Sequence, residues 1–287
     1  MINWPENIIS DIARRKCVLV LGAGVSKNSS NSKNERPKDW KEVLLHGAGK
    51  TNKKKLITGL VKVGDLLTAC EILKKVLGRD KFNEFIRNEY QTPKFPACEI
   101  HKYVYDLDSR IVATPNFDKI FDVYADHVSK GNINIKTYYD DDIADCIRRL
   151  EPTILKIHGT ITTPDKLIFS RKDYSKARTG FRDFYSILEA LIITHTFIFI
   201  GCGISDPDIR LLLEDNGNKF RFARNHYIVT PKNANKKEVL DIVEETMNLT
   251  PILYDSKNNH SILTESLRVL VDRVELKRQE FADKMNW

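Results

Sequence analysis

The sequence predicts an α/β protein built on a doubly wound, Rossmann-like parallel sheet, with a small helical subdomain inserted into it. Three observations carry that expectation. Short, continuously apolar runs recur along the chain, helical patterns fill most of the intervals between them, and four of the runs end in glycine or small polar residues. Apolar strands alternating with helices are the pattern of a parallel sheet covered on both faces.

The elements follow in chain order. Pro5-Glu6 opens an amphipathic helix with Ile8, Ile9 and Ile12 on one side. Residues 17–21, Cys-Val-Leu-Val-Leu, form the first buried strand, which stops at Gly22. Further strands are expected at 110–114, 153–157, 196–200 and 226–230, with a weaker one at 133–138. Helices are expected at 117–129, 181–193, 207–215 and 235–247. Residues 40–105 contain no convincing strand and read as three or four short helices, a subdomain inserted after the first strand. Leu263, Leu267, Leu270 and Val274 recur at helical spacing and place a terminal helix within 261–287, packed on the sheet. Its last turns, with Phe281, Met285 and Trp287, are the alternative place for a subunit contact.

The 287 residues, 41% apolar and 30% charged, suit one folded domain carrying an insertion. The first sixteen residues lack the apolar core of a signal peptide. The most apolar stretch, 190–201, is broken by Thr194, His195 and Thr196 and is too short to span a bilayer. A cytoplasmic protein without a membrane segment is therefore expected. Five scattered cysteines with no C-x-x-C pair indicate neither a disulfide framework nor a metal site. The net charge of +7 leaves DNA contact open, direct or through a partner, although acidic residues alternate with the basic ones. The one basic run, 50–55, also fits a solvated loop.

Four motifs carry chemistry, each at the expected carboxyl end of a strand, where ligands gather in open α/β sheets. Gly22-Ala23-Gly24-Val25-Ser26 follows the first strand, and its missing side chains would let backbone N–H groups approach a pyrophosphate. The third glycine of the dehydrogenase fingerprint is absent, and Lys27 is followed by the polar run Asn28-Ser29-Ser30-Asn31-Ser32. A long cofactor loop that rejoins structure near Pro37 and Trp40 is the reading this supports, against a turn leading straight into a helix. Thr114-Pro115-Asn116-Phe117-Asp118 ends the second strong strand; Asn116 and Asp118 are site candidates, though both would also serve as helix caps. Lys156-Ile157-His158-Gly159 places a histidine, which titrates near neutrality, at a third strand end. Gly201-Cys202-Gly203-Ile204-Ser205-Asp206-Pro207-Asp208 follows the most apolar strand and opens a helix, with Asp206 as its cap and Pro207 at its first position. Gly201, Gly203, Ser205 and Asp206 are the binding candidates there.

Together the four motifs resemble the sirtuin superfamily over roughly residues 17–213. Gly22 to Ser26 is similar to its G-A-G-x-S, Thr114 to Asp118 to its T-x-N-x-D, and Lys156 to Gly159 to its K-x-H-G. The fourth motif resembles the G-x-S-x-x-D-P of the zinc-less, sirtuin-like branch used in bacterial anti-phage defence. Three departures stand out. The paired cysteines of the zinc ribbon are missing, Gly203 replaces the serine of the fourth motif with Ser205 two positions on, and P-x-W appears as Pro37-Lys38-Asp39-Trp40.

The resemblance implies that NAD is a substrate rather than a redox carrier, with its pyrophosphate on Gly22, Ala23, Gly24 and Ser26 and with Trp40 and Thr114 in the binding set. It implies that Asn116 orients the ribose and a water, that His158 acts as base, and that Asp118 holds the nicotinamide amide. No metal is implied. An NAD glycohydrolase that depletes NAD in defence is the leading expectation. A protein deacylase or ADP-ribosyltransferase, and a non-catalytic NAD-binding scaffold, are the alternatives. Such an activity needs restraint, so a homo-oligomer and a separate regulating protein, such as a HerA-type ATPase, are expected partners.

Overall fold

The computed structural model describes residues 1–203, 206–220 and 222–285. Helix α1 (Glu6–Ala13) precedes strand β1 (Cys17–Leu21), and a single helical turn, α2 (Ala23–Ser26), follows β1 directly. After a loop come α3 (Trp40–Gly49), α4 (Lys54–Lys62), α5 (Leu66–Leu77), α6 (Arg79–Tyr90) and α7 (Glu99–Asp106). The remainder alternates: β2 (Ile111–Thr114), α8 (Ile120–Val128), β3 (Asn134–Thr137), α9 (Ile143–Arg148), β4 (Thr153–Lys156), α10 (Arg171–Gly180), α11 (Arg182–Thr194), β5 (Thr196–Ile200), α12 (Pro207–Lys219), β6 (His226–Pro231), α13 (Lys237–Met247) and β7 (Leu249–Tyr254). The chain closes with α14 (Lys257–Asp283), whose regular helix starts only after Asn258, Asn259 and His260, all left-handed.

The seven strands form one sheet in the order β3-β4-β2-β1-β5-β6-β7, and every pair is parallel. The expected α/β class and doubly wound sheet are thus found. β1 leads toward β2 on one side and β5 toward β6 on the other, so the chain reverses its winding between two adjacent strands. A crevice opens at their carboxyl ends for that reason.

Two apolar layers sandwich the sheet. Cys17, Leu19 and Leu21 face one core with Ile8, Ile12, Ile100, Val104, Leu267 and Leu270, while Val18 and Val20 face the other with Leu188, Leu191, Leu213 and Val243. All five β1 residues are at most 2% exposed, which is why this strand reads as a continuous apolar run. A third core of Val43, Leu44, Ile57, Leu73, Phe82 and Ile86 holds α3 to α6 together, and it reaches the sheet through Phe117 and Phe169.

Several boundaries differ from expectation. α7 falls inside the stretch assigned to the insertion, yet Ile100 and Val104 pack with α1 and α14 in a sheet core. The helix expected at 117–129 starts at Ile120, because residues 115–119 form the loop that carries Asn116 and Asp118. Strand β7 departs from the expected set: Pro251 interrupts its apolar pattern, and proline is tolerated because β7 is an edge strand. The glycine turn does enter a helix, but only for one turn. Of the terminal residues set aside for a subunit contact, Phe281 is buried under Arg14, Met285 is exposed, and Trp287 lies outside the described residues. No helix among the described residues is long and apolar enough to cross a membrane.

Candidate active site

The carboxyl ends of β1, β2, β4 and β5 converge on a cleft of about 400 Å³, closed on its far side by the loop before α3 and by α3 itself. Its lining includes Gly22, Ala23, Gly24, Ser26, Trp40, Asn116, Asp118, His158, Gly201, Gly203 and Asp206, so most of the residues singled out in the sequence meet there. Thr114 does not: it is buried behind the cleft, donating its hydroxyl to Leu21 O at 2.7 Å and accepting from Asn116 N at 3.1 Å. Its role is to tie β2 to β1 and to start the turn. Ser205 lies outside the described residues.

The glycine turn is built differently from a phosphate cradle. Gly22 N–H donates to Ile200 O and Gly24 N–H to Gly201 O, both at 2.9 Å, so both donors are engaged by the neighbouring turn. A Cβ on Gly22 would lie 2.4 Å from Gly201 O and 2.6 Å from Cys202 Cα. Gly201 has φ +65°, and a Cβ there would lie 2.6 Å from Val25 N. These glycines let two backbones interlock where the sheet reverses its winding. The Gly22 and Gly24 N–H groups, expected from the sequence to approach a pyrophosphate, bond the neighbouring strand and turn here.

Asn116 reaches across to this turn. Its Nδ2 donates to Gly22 O at 2.9 Å and to Ser26 Oγ at 3.1 Å, and Ser26 Oγ in turn donates to Asp118 Oδ2 at 2.8 Å. Asp118 Oδ1 accepts from Ile120 N at 3.0 Å and starts α8. Each carboxylate oxygen of Asp118 therefore has a protein partner. The chain Asn116, Ser26, Asp118 fixes the Asn116 carboxamide against the glycine turn.

His158 enters from the end of β4 and is 4% exposed. Its ring packs edge-on to Tyr174, centroids 5.2 Å apart, and its Nε2 lies 3.5 Å from Asp206 Oδ2 without making a hydrogen bond. A buried imidazole nitrogen without a hydrogen bond in the protein keeps its capacity to bond a group in the cleft. Asp206 is fully engaged on its other side. Its Oδ1 caps α12 through Asp208 N and Ile209 N, and its Oδ2 accepts from Tyr174 Oη at 3.0 Å. Burial, and then the neighbouring Asp206, pushes the Tyr174 hydroxyl well above its ordinary pKa, so it stays protonated and donating. Burial likewise pushes the Cys202 thiol up, which excludes it as a thiolate nucleophile.

An aromatic wall, of which the sequence motifs announced Trp40 but not Phe169 or Tyr174, completes the cleft. Trp40 lies 5.6 Å from Phe169 and 6.5 Å from Tyr174 between ring centroids, and Phe117 meets Phe169 edge-on at 5.2 Å. The Ser170-x-x-Asp173 capping box starting α10 was the available signal, since that helix carries Tyr174. The loop between α2 and α3 is fastened by Lys27 to Asp39 and Glu42, and by Lys38 to the buried Glu89. Among the described residues no group of three His, Cys, Asp or Glu side chains is placed to hold a metal ion.

The fold and cleft define a class: a doubly wound α/β protein with a ligand crevice at the winding reversal, walled by an inserted helical subdomain. Residues 110–252, just under half of the chain, match the SIR2-like domain. It is 22% identical over 229 residues to "NAD(+) hydrolase ThsA" of Acinetobacter baumannii, covering 79% of this chain and 45% of that protein. It is 25% identical over 216 residues to "Defense-associated sirtuin 2" of Bacillus subtilis, covering 74% and 20%. A further "NAD(+) hydrolase ThsA", from Cytobacillus dafuensis, is 22% identical over 277 residues, covering 89% and 52%. The chain thus spans about half, or less, of each of these relatives.

Proposed function

We propose that the protein is an NAD glycohydrolase acting in anti-phage defence, cleaving NAD to ADP-ribose and nicotinamide. The observation that carries this reading is the buried His158, whose Nε2 faces Asp206 without a hydrogen bond, in the same cleft as the anchored Asn116 carboxamide. The relatives named as NAD hydrolases and as a defence-associated sirtuin support it.

In the reaction the ribose C1′–N bond of NAD breaks and water supplies the new C1′–O bond. Nicotinamide is cationic in NAD and leaves as a neutral base, so no general acid is required. An oxocarbenium-like sugar must be stabilised and a water placed. Asn116 orients the ribose and the water, and His158 takes the proton, from the water or through a ribose hydroxyl. Asp118, whose oxygens hold Ser26 and Ile120, acts by aligning Asn116 rather than by gripping the nicotinamide amide. With the Gly22 and Gly24 donors, Ser26 Oγ, Lys27 and Lys38 all paired within the protein, the pyrophosphate is left to the Ala23 backbone and Lys41 at the cleft rim.

The test is NAD consumption by the purified chain, alone and with candidate regulators, followed by nicotinamide release. Asn116→Ala and His158→Ala are each expected to lower turnover at least about a hundredfold while melting with the parent. Tight NAD binding with no consumption under any condition would leave the scaffold reading. Transfer of acyl or ADP-ribosyl groups to or from a protein, without free ADP-ribose, would leave the transferase reading. Because unchecked hydrolysis empties the cell of NAD, we further propose restraint by self-assembly or by a separate protein such as a HerA-type ATPase, read by comparing turnover across oligomeric fractions and with that protein added.

A further inference from the structure

The lysine of the Lys156-Ile157-His158-Gly159 motif has no part in the chemistry above, yet it is one of the most deeply buried side chains in the molecule, 1% exposed. It ends β4 on the face shared with Ile154 and runs behind the cleft, beneath the loop between β2 and α8. Its Nζ donates to the Asp118 carbonyl oxygen at 2.6 Å and lies 2.9 Å and 3.2 Å from the two carboxylate oxygens of Asp122, itself 1% exposed. A buried ammonium and carboxylate recover little stability beyond what an apolar pair of similar size would provide. What an apolar pair cannot supply is the donor to the Asp118 carbonyl.

That carbonyl belongs to the loop that presents Asn116. From it the connection is short: Asp118 accepts from Ser26, Ser26 accepts from Asn116 Nδ2, and Asn116 Nδ2 also donates to Gly22 O. Behind these groups lies a void of only about 10 Å³, bordered by Ser26, Asn116, Asp118, Asp122, Lys156 and the fully buried His101. The loop is therefore held by hydrogen bonds at its back, with little room for readjustment once one is lost. We propose that Lys156 is a positioning residue: paired with Asp122, it holds the Asp118 carbonyl and so fixes the loop that aims the Asn116 carboxamide into the cleft. The kinetic side of this inference rests on the proposed NAD hydrolysis, while its structural side does not.

The test uses the full chain in three forms: Lys156→Met, Lys156→Met with Asp122→Leu, and Lys156→Arg. Lys156→Met leaves the Asp122 carboxylate buried and unpaired and is expected to melt lower. The double variant is expected to recover the melting temperature but not the activity, with kcat down roughly tenfold to a hundredfold and KM for NAD changed less than about threefold. Lys156→Arg, which keeps the charge and a donor, is expected to recover turnover to within about tenfold of the parent, and it carries the comparison if the apolar variants do not fold. Independently of activity, the Asn116 side-chain amide resonances, assigned by their loss in Asn116→Ala, should exchange with solvent at least about tenfold faster in the Met-containing variants than in the parent. A double variant with parental kcat, an Arg variant that melts like the parent but turns over as slowly as Met, or parental exchange of the Asn116 amide would each overturn the positioning role. If the parent cleaves no NAD, the functional reading fails and the amide exchange still decides this one.

Discussion

Replacing Gly22 by alanine separates two explanations of the glycine turn, one in which a ligand needs the space and one in which the protein itself does. The added Cβ would lie 2.4 Å from Gly201 O, 2.6 Å from Cys202 Cα and 2.8 Å from Cys202 N, all backbone atoms that cannot rotate away. Ordinary contacts of this kind begin near 3.4 Å, so one turn must move by about 1 Å, which strains the Gly22 N–H to Ile200 O bond and the parallel pairing of β1 with β5. Overpacking of this kind costs roughly 2–3 kcal/mol, and weakening one backbone hydrogen bond adds about 1 kcal/mol. For a chain of this length a loss of about 3–4 kcal/mol corresponds to a fall of roughly 5–7 °C in Tm. The assay is thermal unfolding without ligand, followed by circular dichroism, with Gly59→Ala as the control. Gly59 sits in α4 with open space within 4 Å of where its methyl would point, so alanine there should be neutral or stabilising by up to about 1 kcal/mol. A Gly22→Ala protein that melts with the parent while losing NAD affinity would refute the packing argument and return the turn to the ligand.

Two further outcomes follow from buried titratable groups and from the loop that walls the cleft. Burial lowers both His101 and His226 from 6.5 to about 4, so each stays neutral in the fold while the unfolded chain takes up a proton below pH 6.5. Their stabilising contribution is fully present above pH 6.5 and is lost as the pH falls toward 4, by about 3 kcal/mol for each imidazole. Melting curves between about pH 7 and pH 4.5 should show this, and His226→Gln should flatten the dependence; an equal slope in that variant would remove His226 from the account. Glu89, with a side chain 3% exposed, receives Lys38 Nζ at 2.7 Å and His46 Nδ1 at 2.6 Å and so anchors the loop before α3 to α6. Glu89→Gln should cost only about 1–2 kcal/mol, because both partners are part-exposed and resolvate, yet raise KM for NAD severalfold as Trp40 loses its register. A parental KM would mean that Trp40 is held by its aromatic neighbours alone.

How much of this was legible depended on whether a residue's burial follows from its neighbours in sequence. β1, β2, β4, β5 and β6 could be read because a strand buried on both faces writes an uninterrupted apolar run. The cleft could be placed because the carboxyl ends of four of those strands carry glycines or small polar residues. β7 could not be read, since an edge strand tolerates Pro251 and with it a broken pattern. Phe169 and Tyr174 of the aromatic wall were hidden for a different reason: they and Trp40 come from three separate segments, and only the packing of α3 against α10 and the preceding loop brings them together. Gly22 and Gly24 show the deepest limit. Sequence states that a side chain is excluded there, and it is silent on whether the excluding body is a phosphate or the backbone of Gly201 and Cys202.

That distinction reorganises the site. If the glycines serve the interlock of two turns, the turns are fixed before any ligand arrives, and Gly22 O becomes a rigid acceptor against which Asn116 is aimed. The same carboxamide is held from its other side through Ser26 and Asp118, and Asp118 from below by Lys156. His158 is treated in the opposite way: packed by Tyr174 and flanked by Asp206, it keeps a nitrogen without a hydrogen bond. One side chain is held through both hydrogen bonds of its Nδ2, while the other keeps a ring nitrogen without one. A cleft of this kind directs its hydrogen bonds to orienting one residue and withholds them from the one that takes a proton in the proposed hydrolysis, the division of labour that general base catalysis on a positioned water requires.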